Sequence, residues 1–258
     1  MGEFTKVDRD GPLTIVTIDR EDRRNALHPP ANAELAAIFD EFEQDKDQWV
    51  AIITGAGDKS FCAGNDLRWQ AEGNPITVPE TGFAGLTARY DMVKPVIAAV
   101  NGTAMGGGFE IALACDLIIA ADTAQFALPE PRVGLAALAG GMHRLPRQIP
   151  LKHAMGMMLT GRRVPASEGQ QLGFVNEVVP AAELMAAARR WADMILECAP
   201  MSVRASKQSA MQGLNEPDLR TAAEARYDQV HAMLKSPDLI EGPMAFAEKR
   251  KPVWKGEG

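Results

Sequence analysis

The chain has 258 residues, with 34 acidic against 27 basic side chains, a formal net charge of −7, 46% hydrophobic and 24% charged residues. That balance suits a globular protein with one substantial core, and its acidity gives no support for binding nucleic acid or an anionic membrane. Cys62, Cys115 and Cys198 have no paired spacing, so neither a disulfide framework nor a zinc site is implied and buried reduced thiols are expected; the polar start MGEFTKVDRD and the lack of a spanning apolar run point to a cytoplasmic protein.

Leu13 to Ile18 alternates apolar and polar as a half-buried strand does, and Phe4 to Val7 can pair with it across Asp10-Gly11. After a charged loop from Arg20 to Leu27, Pro29-Pro30 open a helix with Leu35, Ile38, Phe39 and Phe42 on its apolar face. Val50 to Thr54 reads as a strand, Gly73 to Gly82 as a mobile loop and Phe83 to Met92 as a helix. Val96 to Val100 is a short buried strand, Leu117–Ala120 and Gln125–Ala127 are further strands, and His143–Gln148 and Leu151–Leu159 are helical. The alternation predicts α/β layering over residues 1–180, with a last strand at Val175–Val179. Residues 181–258 read as helices, Ala181–Cys198, Met201–Gln212, Leu219–Leu234 and Leu239–Arg250, packed against a partner chain.

The chain is organised around Lys94–Glu110, KPVIAAVNGTAMGGGFE. A strand that turns through Gly106-Gly107-Gly108 into a helix delivers free backbone N–H groups, backed by the helix dipole, to one spot. Such a site suits negative charge developing on oxygen, with Glu110 one turn away as an acid or base. The small-residue loop Phe61-Cys62-Ala63-Gly64-Asn65-Asp66 offers a second N–H, that of Asn65, and Asp66 can begin a helix at Leu67. Together the N–H groups of Asn65 and Gly107 make an oxyanion hole suited to a thioester carbonyl becoming an enolate. Other chemistries lack support. Gly55-Ala56-Gly57 fails as a dinucleotide motif because Ser60 stands at the third glycine, and the four histidines have no ligand spacing.

FCAGNDL, KPVIAAVNGTAMGGGFEIALACDLIIAADTAQFALPE, LTGRRVPASEGQQLGFVNEVVP and FAEKRKPVWKG, in that order over nearly the whole chain, resemble the enoyl-CoA hydratase/isomerase (crotonase) superfamily. The resemblance implies an α/β spiral of ββα turns, followed by C-terminal helices that build a homotrimer or a hexamer of two trimers. It also implies an acyl-CoA substrate, with no separate cofactor and no metal. By motif position the paired carboxylates are Glu110 after GGGF and Glu130 in FALPE, one activating water and the other protonating Cα. Arg24 and Ala26, with Ala63, Asp66 and Leu67, are implied as coenzyme A contacts. Phe246 and Lys249 are implied to reach its adenine and phosphates, often on a neighbouring subunit. Trp69, Tyr90 and Tyr227 are candidates for the acyl pocket.

One departure stands out. Relatives carry a run like Pro-Gly-Ala-Gly-Gly where this chain has Ala137-Leu138-Ala139-Gly140-Gly141, so Leu138 is expected to narrow the pocket or displace the catalytic water. The leading expectation is an enoyl-CoA hydratase, a lyase. The alternatives are an enoyl-CoA isomerase, a dehydratase for a functionalised acyl-CoA, and a non-catalytic acyl-CoA- or RNA-binding protein.

Overall fold

The computed structural model describes residues 2–257. β1 (Thr5–Asp10) and β2 (Leu13–Ile18) form an antiparallel hairpin, Thr5 facing Ile18 and Asp10 facing Leu13. α1 (Pro29–Gln44) follows, with a proline at its start and Leu35, Phe39 and Phe42 buried. Three further turns repeat one plan: β3 (Val50–Gly55), β4 (Ser60–Cys62) and α2 (Leu67–Ala71); β5 (Val96–Val100), β6 (Thr103–Met105) and α3 (Gly107–Ala114); then β7 (Leu117–Ala121), β8 (Gln125–Ala127) and α4 (Gly141–Gln148). α5 (Leu151–Thr160), β9 (Val164–Pro165), α6 (Ala166–Leu172) and β10 (Glu177–Val179) complete this part.

In each turn the first strand joins a six-stranded sheet, ordered β1-β2-β3-β5-β7-β10, and the second joins a four-stranded sheet, ordered β4-β6-β8-β9. From β2 onward the larger sheet is parallel, and every residue of β3 and β5 is buried, as a sheet covered on both faces requires. This is the expected spiral of ββα turns. Two buried asparagines hold its bends. Asn101 Nδ2 donates to the carbonyls of Gly55 (2.9 Å) and Gly57 (2.8 Å), and Asn25 Nδ2 donates to those of Ala56 (3.0 Å) and Ser60 (2.7 Å). Carbonyls that a tight turn leaves unpaired are thereby satisfied.

α7 (Leu184–Leu196) lies across β3, β5 and β7, and its buried Leu184, Ala187, Ala188 and Ala192 let it approach the sheet closely. α8 (Pro200–Gly213) packs against α9 (Leu219–Glu224) and α10 (Asp228–Met233), and α11 (Asp238–Glu248) ends the helical series.

Three sequence expectations are corrected. Residues 83–92 do not form a helix. Only Phe83–Gly85 makes a 3-10 turn, with Ala84 at φ 56°. The left-handed backbone of Ala84 and Gly85 (φ 60°) turns the chain off the helical path, and side chains hold that turn: Asn32 Oδ1 accepts from the Ala84 N–H (2.6 Å) and Thr87 Oγ1 from the Phe83 N–H (2.8 Å). Second, the helix expected over Leu219–Leu234 is two, because the Gln208 side chain of α8 caps the new start by accepting from the Gln229 N–H at 2.8 Å. Third, Cys62 and Cys115 are buried free thiols but Cys198 is exposed. The strands β6 and β9 escape the periodicity argument because two or three residues show no period, and the helix α6, at seven residues, spans under two turns.

Candidate active site

The central turn forms as its glycines dictate. Gly106 adopts φ 53°, a conformation that costs a residue with a Cβ, and α3 starts immediately after it. Gly107 is the first helical residue, so its N–H has no acceptor within the helix. Gly64, at φ 90°, packs on this turn so tightly that a Cβ there would lie 2.8 Å from the Met105 carbonyl and 3.2 Å from the Gly107 nitrogen. That contact sets Asn65 beside Gly107. Leu27 and Asn65 bridge, with the Leu27 N–H donating to the Gly64 carbonyl (2.8 Å) and the Asp66 N–H to the Leu27 carbonyl (3.0 Å). Asn65's own N–H is outside that bonding and donates to no acceptor among the described residues. The Phe83 ring forms a wall over Gly107, its Cε1 within 2.5 Å of where a Cβ would stand.

Two carboxylates border this turn. Glu110 is 3% exposed and its Oε1 accepts the Gly141 N–H at 2.8 Å. Burial pushes its carboxyl up to about 7; the Gly141 N–H opposes that, and the neighbouring Glu130 charge adds to it. Glu130 begins a 3-10 turn, Glu130–Val133, after β8. Its Oε1 lies 3.0 Å from where a Cβ on Gly106 would be, and its buried Oε2 has no hydrogen-bond partner among the described residues. Burial raises its carboxyl as well. Two carboxyl groups with raised proton affinity at a pair of free N–H donors can share out the deprotonation of one atom and the protonation of another near neutral pH.

A cleft of about 350 Å³ opens beside Asn65, lined by Asp22, Arg23, Arg24, Ala26, Ala63, Asn65, Asp66, Leu67 and Arg68. Arg24, Ala26, Ala63, Asp66 and Leu67, read from the sequence as coenzyme A contacts, thus share one wall system. Arg24 and Asn25 both take left-handed backbone, at φ 55° and 56°, held by the Ala63 N–H on the Arg24 carbonyl at 3.1 Å. Asp66 caps α2 by accepting from the N–H groups of Arg68 (3.2 Å) and Trp69 (3.3 Å) and pairs with Arg20 at 3.0 Å. Burial pushes the Asp66 carboxyl up, but the Trp69 N–H and Arg20 together outweigh it and hold the group ionised. Arg23, Arg24 and Arg68 put positive charge on the cleft of an acidic protein, as a phosphate-bearing ligand needs.

Phe246 and Lys249 are not brought to this cleft. Phe246, on α11, is 86% exposed, and Lys249 caps that helix at φ 54°. Tyr227 lies among the C-terminal helices with its hydroxyl on the Ala222 carbonyl (2.7 Å), and Trp69 stacks edge-on against the buried His28. Tyr90 is exposed and lies over Arg144. Leu138 is 79% exposed, and it is Ala137, 4% exposed, whose Cβ lies 3.1 Å from the Cβ position of Gly141. Sequence reasoning missed Arg20, Phe83, the Gly141 N–H and Arg144. The pair Gly140-Gly141 ahead of a helix is the signal for the third, by the logic applied to the central triplet.

Comparison with known proteins identifies the family. The family model described as Enoyl-CoA hydratase/isomerase matches residues 8–257. A carnitinyl-CoA dehydratase of Citrobacter koseri is 44% identical over 99% of this chain and 100% of its own length. An enoyl-CoA hydratase structure from Mycobacterium tuberculosis superposes with a TM-score of 0.91 at 37% identity, covering 99% of this chain and 100% of the other. A carnitinyl-CoA hydratase structure from Mycobacterium avium has a TM-score of 0.79 at 43% identity, covering both chains completely.

Proposed function

The chain belongs to the enoyl-CoA hydratase/isomerase family, and from that premise we propose that it adds water reversibly across the 2,3 double bond of a 2-enoyl-CoA thioester. The observation that carries this reading is the paired carboxylates, Glu110 and Glu130, both with raised proton affinity beside the free N–H groups of Asn65 and Gly107. In the hydration direction the Glu110 carboxylate takes a proton from water and the hydroxide oxygen bonds to Cβ. The double-bond electrons move to Cα and the thioester oxygen, where the N–H groups of Asn65 and Gly107 meet the enolate. Glu130 then delivers its proton to Cα, so one water has been added. Dehydration runs the same steps backward: Glu130 takes the Cα proton and protonated Glu110 gives its proton to the departing hydroxide. A carboxyl titrating at about 7 serves both directions.

Isomerisation needs only one proton-transferring carboxylate, so the second buried one favours the hydratase. Dehydration of a β-hydroxyacyl-CoA bearing a further functional group is the second reading, favoured by the 44% identity to a carnitinyl-CoA dehydratase. The adenosine end of coenzyme A would lie along Arg23, Arg24 and Arg68. Phe246 and Lys249 would complete that end from a neighbouring subunit of a homotrimer, a role supported by the exposure of Phe246 and of Leu239, Ile240 and Met244 on α11.

The test is loss of enoyl-thioester absorbance with crotonyl-CoA for the native chain, Glu110→Gln and Glu130→Gln, with 3-hydroxybutyryl-CoA and L-carnitinyl-CoA run in reverse. Turnover that collapses in both variants supports two-carboxylate hydration. Turnover retained in Glu110→Gln would sink it. Light scattering on the purified protein reports the subunit number.

A further inference from the structure

Arg144 is a cation that the reaction does not use. It sits in the first turn of α4, and its guanidinium folds back over Gly140. Nη2 donates to the Thr87 carbonyl at 2.7 Å and Nη1 to the Ala139 carbonyl at 3.3 Å, while the guanidinium carbon lies 5.6 Å from the Tyr90 ring centroid. Among the described residues it forms no ion pair with any carboxylate. Burial lowers its proton affinity, and the ionisable groups that face it are Tyr90, Cys115 and Glu110. A half-buried arginine whose hydrogen bonds go to backbone carbonyls and not to a carboxylate gains no ion pair to offset its desolvation, so its place calls for a reason.

The turn it clamps supplies the reason. Gly140 stands at φ 101°, its carbonyl accepts the N–H of Arg144 at 2.8 Å, and the next residue donates its N–H to Glu110 at 2.8 Å. The arginine fork therefore ties the loop after Phe83, which walls the oxyanion turn, to the 139–141 turn, which holds the carboxylate. We propose that Arg144 is a positioning residue for the reaction, fixing the Ala139–Gly141 turn so that the Gly141 N–H stays on Glu110. This rests on Glu110 serving as the water-activating base.

The charges facing Glu110 are Glu130, which raises its proton affinity, and Arg144, which lowers it, with the Gly141 and Ala139 N–H groups also lowering it. Removing the cation and loosening the turn both act in one direction, toward a more strongly held proton. The experiment compares the native chain with Arg144→Met, Arg144→Lys, Glu110→Gln and the Glu110→Gln/Arg144→Met double variant. For Arg144→Met the acid limb of kcat/KM against pH should move alkaline by about half a unit or more, kcat at pH 7 should fall about tenfold, and KM for crotonyl-CoA should stay within about threefold. Arg144→Lys keeps the charge but not the fork, so its limb should move by less while kcat still falls about threefold or more.

A second readout needs no substrate. Melting temperature against pH should show a decline through Glu110's titration that moves alkaline in Arg144→Met, with no such movement caused by the same change in the Glu110→Gln background. An unmoved limb and an unmoved melting profile in Arg144→Met would overturn the proposal, even if its melting temperature falls. If Arg144→Met does not fold, an unchanged kcat in Arg144→Lys overturns it. Failure of native crotonyl-CoA turnover would instead remove the hydratase reading, while the melting profiles still decide whether Arg144 acts on Glu110.

Discussion

The two carboxylates of the site are supported in opposite ways. Glu110 stands on α3, one turn into a helix whose residues Gly108 to Leu113 are buried, and the start of α4 holds its Oε1 by the Gly141 N–H. Glu130 stands where a strand ends in a 3-10 turn, and one of its oxygens has no partner among the described residues. A group that must aim at a small, mobile water gains from a rigid helix and a fixed donor. The group that exchanges a proton with carbon gains from an uncommitted oxygen, since a competing donor would hold its lone pair. The difference between the two supports thus matches the two roles in the proposed reaction.

The largest effect that would break this comparison is on turnover. Glu110→Gln and Glu130→Gln should each lower kcat by about 10²-fold or more with KM changed little, because each removes one of two obligatory proton transfers. Equal losses in both reaction directions are expected by microscopic reversibility. If either variant keeps more than about a tenth of native kcat, assayed by crotonyl-CoA absorbance, the division of labour is wrong.

Next comes the same small insult applied to each side. A Cβ on Gly141 would stand 3.0 Å from both Cγ and Oε1 of Glu110, with Ala137 behind it, so Gly141→Ala must displace a side chain that has nowhere to go. A Cβ on Gly106 would meet Glu130 Oε1 at 3.0 Å, but no hydrogen bond holds the other oxygen of that carboxylate among the described residues. The backbone there is at φ 53° and ψ −125°, outside the left-handed helical well, which costs an alanine about 1–3 kcal/mol. Gly141→Ala should therefore lower kcat about tenfold with a modest loss of stability. Gly106→Ala should show the reverse balance, read by urea unfolding beside steady-state kinetics.

The buried carboxyl also leaves a mark on stability. Glu110's folded value of about 7 lies above the ordinary glutamate value of 4.5, so the native state binds more protons between those pH values. Stability is then greatest below about pH 4.5 as far as this group is concerned and falls as pH rises toward 7, by up to about 3 kcal/mol. Glu110→Gln removes that decline and should unfold at higher urea than the native chain at pH 8. A native profile identical to that of Glu110→Gln would show that Glu110 titrates normally.

Much of this was legible in residues. Val96–Val100 reads as a strand and Gly106-Gly107-Gly108 as a turn into a helix, which points to an oxyanion turn, although the strand β6 between them has no period of its own. The hairpin, α1 and β3 were equally open, since their periods run for five residues or more. Phe83–Gly85 was not, because the apolar spacing of FAGL suits a helix, and neither the left-handed backbone of Ala84 and Gly85 nor the hold of the distant Asn32 on that turn shows in a local pattern. Glu130, flanked by Pro129 and Pro131, looked like an ordinary loop carboxylate, and only the family resemblance picked it out. The Gly141 N–H on Glu110 joins positions 31 residues apart, and no local pattern encodes such a contact.

The smallest expected effect concerns Leu138. In a relative with glycine at that position a leucine reads as an obstruction to the catalytic water, yet here its side chain is 79% exposed while the neighbouring Ala137 is 4% exposed. It is the methyl group of Ala137 that backs Gly141, and through it Glu110. The obstruction argument therefore belongs one residue earlier. Leu138→Gly should leave stability within about 1 kcal/mol and kcat for crotonyl-CoA within about threefold, whereas Ala137→Leu, with no space to fill, should cost about 1–3 kcal/mol and lower kcat by about tenfold. If Leu138→Gly instead raises crotonyl-CoA hydration tenfold, the leucine does shape the acyl pocket, and the chain is built for a group other than a short straight one.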